Sequence, residues 1–151
     1  DQRRSMQDFL DDIKEKFQLP DQDIRTYSPL TLAYIGDGVY ELIVRTVVVE
    51  QANRPTNELH KLTTTYVKAQ AQAQMLLALK DELTETEADV VRRGRNAKPY
   101  TMAKNATRSD YHKATGFEAL MGYLYLTGQT ERMLQLIRRG MSVVDGAEKA
   151  E

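Results

Sequence analysis

A chain of 151 residues holds one domain's worth of polypeptide, enough to bury about 70% of its unfolded surface without covalent staples. It has no cysteine, which excludes thiol nucleophiles, zinc–thiolate clusters and iron–sulfur ligation, and its two histidines, His60 and His112, argue against a multi-histidine metal centre or a serine–histidine triad. The net charge of −1 conceals a segregation: residues 92–113 carry seven Lys/Arg against one acid, Asp110, while the rest of the chain carries 14 Lys/Arg against 21 acids.

Helix punctuation recurs along the chain, and alternating β-branched runs are missing. Ser5 with Asp8 makes a capping-box pattern, Phe9, Leu10, Ile13 and Phe17 follow at helical spacing, and Pro20 stops that helix. Ser28-Pro29 pairs an N-cap with a proline at the first helical position. The helix it opens is predicted to reach Gln51, about 30 Å at 1.5 Å per residue. The apolar stretch Leu30–Val49 within it is broken by Asp37, Glu41 and Arg45 and is not a membrane span. Asn53 and Pro55 start the next helix, carrying Leu59, Leu62, Tyr66 and Val67 on one side, and the chain changes direction near Lys68. Ala69–Leu79 reads as an alanine- and leucine-rich helix. Thr84 with Glu87 is a second capping box, with Gly94 as the stop of its helix. Gly94–Met102, with Pro99 and no periodicity, reads as a loop. A helix from Lys104 or Ser109 runs to Leu126 and closes at Gly128, and Thr130–Val144 forms the last one. Residues 1–4 and 145–151 are expected to fray. The whole reads as a single all-α domain of six or seven helices, cytoplasmic, with no signal peptide and no membrane segment. Tyr34, Tyr40, Tyr123 and Tyr125, like Met75, Met121, Met133 and Met141, are expected in the core.

Three features depart from ordinary packing. Asp37 sits between Gly36 and Gly38 inside an apolar helix, although each glycine costs about 1 kcal/mol of helix stability relative to alanine. Glu118 is the only acid between Asp110 and Glu131, in the apolar run Phe117–Leu126 that also contains Gly122. An ionised carboxylate on a packing helix is costly unless it is paired or metal-bound. Together the two stretches predict helices that cross at their glycines, with Asp37 meeting Glu118 as oxygen donors for Mg²⁺ or Mn²⁺. Such an ion assists attack of water on a phosphodiester and neutralises the transition-state charge. The alternative for each carboxylate is a polar helix edge or a paired residue at the core rim. The third feature is the basic strip Arg92, Arg93, Arg95, Asn96, Lys98, Lys104 and Arg108. On an acidic body, it suits the phosphates of a polyanion held at one place, or else is a solvated face. His112 is expected near the surface beside this strip, and His60 is expected to be structural.

The stretch Leu32-Ala33-Tyr34-Ile35-Gly36-Asp37-Gly38-Val39-Tyr40 resembles the signature helix of the ribonuclease III catalytic domain, Leu-Glu-Phe-Leu-Gly-Asp-Ala-Val-Leu. Ala114-Thr115-Gly116-Phe117-Glu118-Ala119-Leu120-Met121-Gly122 resembles that family's later helix, Ala-Asp-x-Phe-Glu-Ala-Leu-Ile-Gly, and Asn57-Glu58-Leu59-His60-Lys61-Leu62 looks like the helix start between them. Order and spacing agree from about residue 25 to 140. Two departures stand out: Ala33 replaces the signature glutamate and Thr115 the second helix's aspartate. These replacements, and the absence of a double-stranded-RNA-binding domain after the last helix, resemble the short members of the family, the Mini-ribonucleases III. The resemblance implies a homodimeric helical bundle of the ribonuclease III endonuclease type that cleaves double-stranded RNA with Mg²⁺, leaving 5′-phosphates and maturing 23S ribosomal RNA ends. It implies Asp37 and Glu118 as catalytic metal ligands. With only two acids per site, Glu41 and Glu58 are candidates for the outer shell, and weak metal binding without RNA is expected. The missing acids leave two alternatives: a non-catalytic double-stranded-RNA-binding or dimerisation module of the same fold, and an unrelated helical protein whose basic strip binds an acidic partner.

Overall fold

The computed structural model of the chain describes residues 6–98 and 107–150, which form seven α-helices and two short 3-10 turns; among the described residues there is no strand. The helices are α1 (Met6–Lys16), α2 (Pro29–Gln51), α3 (Thr56–Val67), α4 (Ala69–Leu79), α5 (Glu85–Asn96), α6 (Arg108–Leu126) and α7 (Thr130–Ala150). Short polar side chains cap the starts of α2, α5 and α6. Ser28 Oγ accepts from the Thr31 amide at 3.2 Å, and Thr107 Oγ1 accepts from the Asp110 amide at 3.0 Å. The Thr84–Glu87 capping box is complete, with Glu87 N–H donating to Thr84 Oγ1 at 3.1 Å and Thr84 N–H to Glu87 Oε1 at 2.9 Å. Lys68 alone, in an extended conformation, ends α3 and begins α4, so the change of direction costs one residue.

Several sequence expectations are corrected. Asn53 caps nothing: Pro55 occupies the N-cap position of α3 and makes no side-chain cap bond. Gly94 does not stop α5, which continues to Asn96. Its missing side chain serves packing, since a Cβ there would lie 2.9 Å from Gly116 Cα. Arg92, Arg93, Arg95 and Asn96 are therefore helical residues rather than part of a loop. The last helix continues beyond Val144 to Ala150, anchored in part by Asp145, whose Oδ1 accepts the Tyr66 hydroxyl at 2.5 Å. Tyr34 is 83% exposed, whereas Tyr40 and Tyr125 are buried as expected. Ser5, Lys104, Pro99 and Met102 lie outside the described residues.

The apolar run that holds Glu118 is hydrophobic around most of its circumference, and a helix of that kind must be surrounded. α6 is accordingly central, packing against α2, α4, α5 and α7. Its Phe117 meets Tyr40 of α2 edge-to-face, with ring centroids 5.2 Å apart. Met75, Met121, Met133, Leu120, Leu124, Leu136 and Ile137 fill the space between α4, α6 and α7. At the opposite end of α5, Glu87 is 3% exposed and receives both Arg132 Nε at 3.0 Å and Nη2 at 2.8 Å, tying α5 to α7. Among the described residues no helix is long and apolar enough to cross a membrane.

Candidate active site

Helices α2 and α6 come into backbone contact where they cross. A Cβ on Gly36 would fall 1.8 Å from the Glu118 carbonyl oxygen and 2.6 Å from the Gly122 amide nitrogen. A Cβ on Gly122 would fall 2.0 Å from the Leu32 carbonyl oxygen. Any side chain at either position would separate the helices, so the two glycines offset their poor helix propensity with contact that no other residue permits. Gly38 is different: a Cβ there meets nothing within 4 Å in this chain.

At this crossing the two carboxylates meet. Asp37 and Glu118, 81 positions apart in sequence, share a side-chain hydrogen bond. Glu118 is the more enclosed of the two, and Asp37 opens to solvent. Burial, joined by the facing Asp37 charge and that hydrogen bond, pushes the Glu118 carboxyl up to about 8, while a hydrogen bond from Gln72 pulls the other way. Glu118 also keeps the nearby Tyr40 phenol in its neutral form, a smaller effect than the burial of that ring. Two carboxylates in one recess either share a proton or share a cation.

The remaining predicted residues divide. Ala33 is buried in a dry cluster with Leu32, Val90 and Ala119, and Thr115 spends its hydroxyl on the Tyr111 carbonyl oxygen at 3.0 Å. Neither position brings an oxygen donor to Asp37. Glu41 pairs with Arg45 at 2.9 Å, and Glu58 is exposed in the first turn of α3. Among the described residues no group of three or more Asp, Glu or His gathers, so neither glutamate joins Asp37 and Glu118 in one cluster. Of the basic strip, Arg92, Arg93, Arg95, Asn96, Lys98 and Arg108 are exposed; Arg92 is paired with Asp89 at 2.5 Å, and Lys104 lies outside the described residues. His112 is half-buried beside Arg95 and Asn96 in a cavity of about 440 Å³ between α4, α5 and α6, and His60 is exposed on α3.

Sequence reasoning missed Gln72. It is 2% exposed, and its Nε2 donates to the Val67 carbonyl oxygen at 2.8 Å and to Glu118 Oε2 at 3.3 Å. Its Oε1 is buried without a hydrogen-bond partner. The signal was present: position 72 shares a helical face with Leu76 and Leu79, where an amide is out of place. The donor set at the crossing is thus a pair of carboxylates, with no soft ligand among the described residues. It fits a hard divalent cation of the Mg²⁺ or Mn²⁺ type, held partly by these residues and partly by solvent or substrate.

The Ribonuclease III domain family model matches residues 30–129, which span both helices of the crossing. The chain is 46% identical to a Mini-ribonuclease 3 of Thermoanaerobacter over 94% of its own length and 98% of that protein's. It is 40% identical to a Mini-ribonuclease 3 of Staphylococcus aureus, covering 83% of this chain and 95% of that one. A crystal structure of a Fusobacterium nucleatum protein superposes with a TM-score of 0.73 at 29% identity, over 78% of this chain and 96% of that one. With the all-helical fold, the glycine crossing and these relatives together, the chain belongs to the ribonuclease III family of endoribonucleases, in its Mini-ribonuclease 3 branch.

Proposed function

We propose that this protein hydrolyses double-stranded RNA with Mg²⁺, for which Mn²⁺ substitutes, at the Asp37–Glu118 crossing. One observation carries the reading: two carboxylates from distant helices converge in a recess where their mutual repulsion favours a cation. Bound there, the ion supplies Lewis-acid activation of the phosphodiester and charge neutralisation in the transition state. Asp37 and Glu118 hold it, and Asp37, on the solvent side, faces the incoming phosphate. The products are a 5′-phosphate and a 3′-hydroxyl.

Arg93, Arg95, Asn96, Lys98 and Arg108, with Arg92 and Lys104, grip the duplex backbone. A-form RNA offers phosphates and 2′-hydroxyls rather than a readable major groove, and exposed Arg and Lys are suited to that contact. The protein acts as a homodimer. The outward face of α2 supports this: Tyr34, Leu42 and Val49 are exposed at 83%, 49% and 52%, and fall on one side of the helix with Gly38 between them. The open space over Gly38 is room for a second copy, and Asp37 lies on the flank of the same face. One subunit per strand gives a staggered double cut. The physiological substrate is the 23S ribosomal RNA precursor, in the cytoplasm.

The test is digestion of a long RNA duplex with and without Mg²⁺, with end mapping. Wild type should cut only with the ion, and Asp37→Asn should lose cleavage while keeping its fold. Mg²⁺-dependent cutting by Asp37→Asn, or no cutting by wild type, would overturn the reading.

A further inference from the structure

Gln72 is a buried amide that reaches across to the candidate site. Its position is nearly sealed, its neighbours on the same face of α4 are Leu76 and Leu79, and its Oε1 has no hydrogen-bond partner. An unpaired buried amide oxygen destabilises the fold, a cost set against the bonds that Nε2 donates to Val67 and Glu118. What the amide does achieve is a bridge. One Nε2 group spans the last carbonyl of α3, Val67, and Oε2 of Glu118 on α6. Among the described residues, Asp37 and Gln72 are the polar side chains that act on the Glu118 carboxyl.

We infer that Gln72 is a positioning residue, its amide fixing the Glu118 carboxylate at the α2–α6 crossing so that Glu118 and Asp37 present oxygens to the same cation. The inference rests on the function proposed above for that pair. Neighbours that orient a metal ligand typically change metal affinity or turnover by about 10- to 100-fold when removed. A residue that only fills the core would change stability instead.

The experiment compares wild type with Gln72→Leu in three readouts: steady-state cleavage of an RNA duplex, thermal unfolding, and Mn²⁺ titration of the RNA-free protein. The expected result is kcat lower by about 10-fold or more, KM for the duplex unchanged and Mn²⁺ affinity weaker by about 10-fold, whatever the change in Tm. A Tm that drops while kcat and Mn²⁺ affinity stay at wild-type values assigns Gln72 to packing and overturns the inference. So does a variant indistinguishable from wild type in all three readouts. If Gln72→Leu does not fold, Gln72→Met replaces it under the same criteria. A wild-type chain that fails to cut duplex RNA defeats the proposed function, and the Mn²⁺ affinity ratio alone then decides the role of Gln72.

Discussion

Glu118 is the residue on which sequence, packing and chemistry converge. Its carboxyl is raised from 4.5 to about 8 by burial and by Asp37, so in metal-free protein it is protonated through neutral pH. The sign of the linkage follows. A group bound more tightly to its proton in the folded state stabilises fully below the unfolded value of 4.5, and that stabilisation is lost as pH rises through about 8. Glu118→Gln, which cannot ionise, should therefore raise the Tm of the metal-free protein at pH 8.5 and leave it nearly unchanged at pH 4.5. Differential scanning calorimetry at the two pH values with chelator present checks this, and an equal shift at both would contradict it. A divalent cation competes for the same oxygens, so its affinity should climb from pH 6 and level off above about 8. The pairing of Asp37 with Glu118 was legible in the sequence because each broke an apolar helix beside a glycine. Gln72 was overlooked because three glutamines alternate through Ala69–Leu79 and hide the one that shares the apolar face of Leu76 and Leu79.

At the scale of elements, two glycines two positions apart in α2 make a controlled comparison. Gly36→Ala places a methyl group on the Glu118 carbonyl, where the obstacle is backbone and cannot rotate away. It should destabilise the fold by about 3 kcal/mol and abolish cleavage by separating the carboxylates. Gly38→Ala meets no atom of its own chain and should add up to about 1 kcal/mol of helix stability to a monomer. Urea denaturation of both variants gives the answer, and equal destabilisation would mean that the crossing is not set by Gly36. A second structural tie lies far from the carboxylates. Glu87 is buried between the Thr84 amide and a bidentate Arg132, which holds its carboxyl below the ordinary range. Arg132→Met should cost about 3 kcal/mol by leaving that charge unpaired, and a loss below about 1 kcal/mol would contradict the assignment. The starts of α2 and α5 were readable because Ser28 and Thr84 cap by local chemistry, whereas the Thr107 cap of α6 was missed. Helix ends were less so: Gly94 and Val144 both lie inside helices, because Gly116 and Tyr66 use the residues around them for tertiary contacts that local sequence does not display.

For the whole molecule, charge and apolar surface have separate locations and separate tests. Of the cations in residues 92–113, Arg92, Arg93 and Arg95 sit at the end of α5 and Arg108 and Lys113 at the start of α6, in a chain that is otherwise acidic. Replacing Arg93 and Arg95 by alanine should weaken duplex binding irrespective of sequence and reduce the slope of log K against log salt by about 2. An unchanged slope would remove these residues from the interface. The exposed α2 face predicts that Leu42→Asp converts a dimer to a monomer in sedimentation; a persistent dimer would place the interface elsewhere. Tyr34 illustrates why that face could not be separated from the core by periodicity, since an exposed apolar residue has the same helical spacing as a buried one.

The claim beneath all of this is that Asp37 and Glu118 grip one ion. A crystal of the protein with a short RNA duplex, soaked in Mn²⁺ and measured at the manganese edge, addresses it without kinetics. The account predicts an anomalous peak at the α2–α6 crossing within about 2.0–2.2 Å of a carboxylate oxygen from each residue. A peak bound by only one of the two, or density at the crossing that shows no manganese while the ion sits elsewhere, would contradict it.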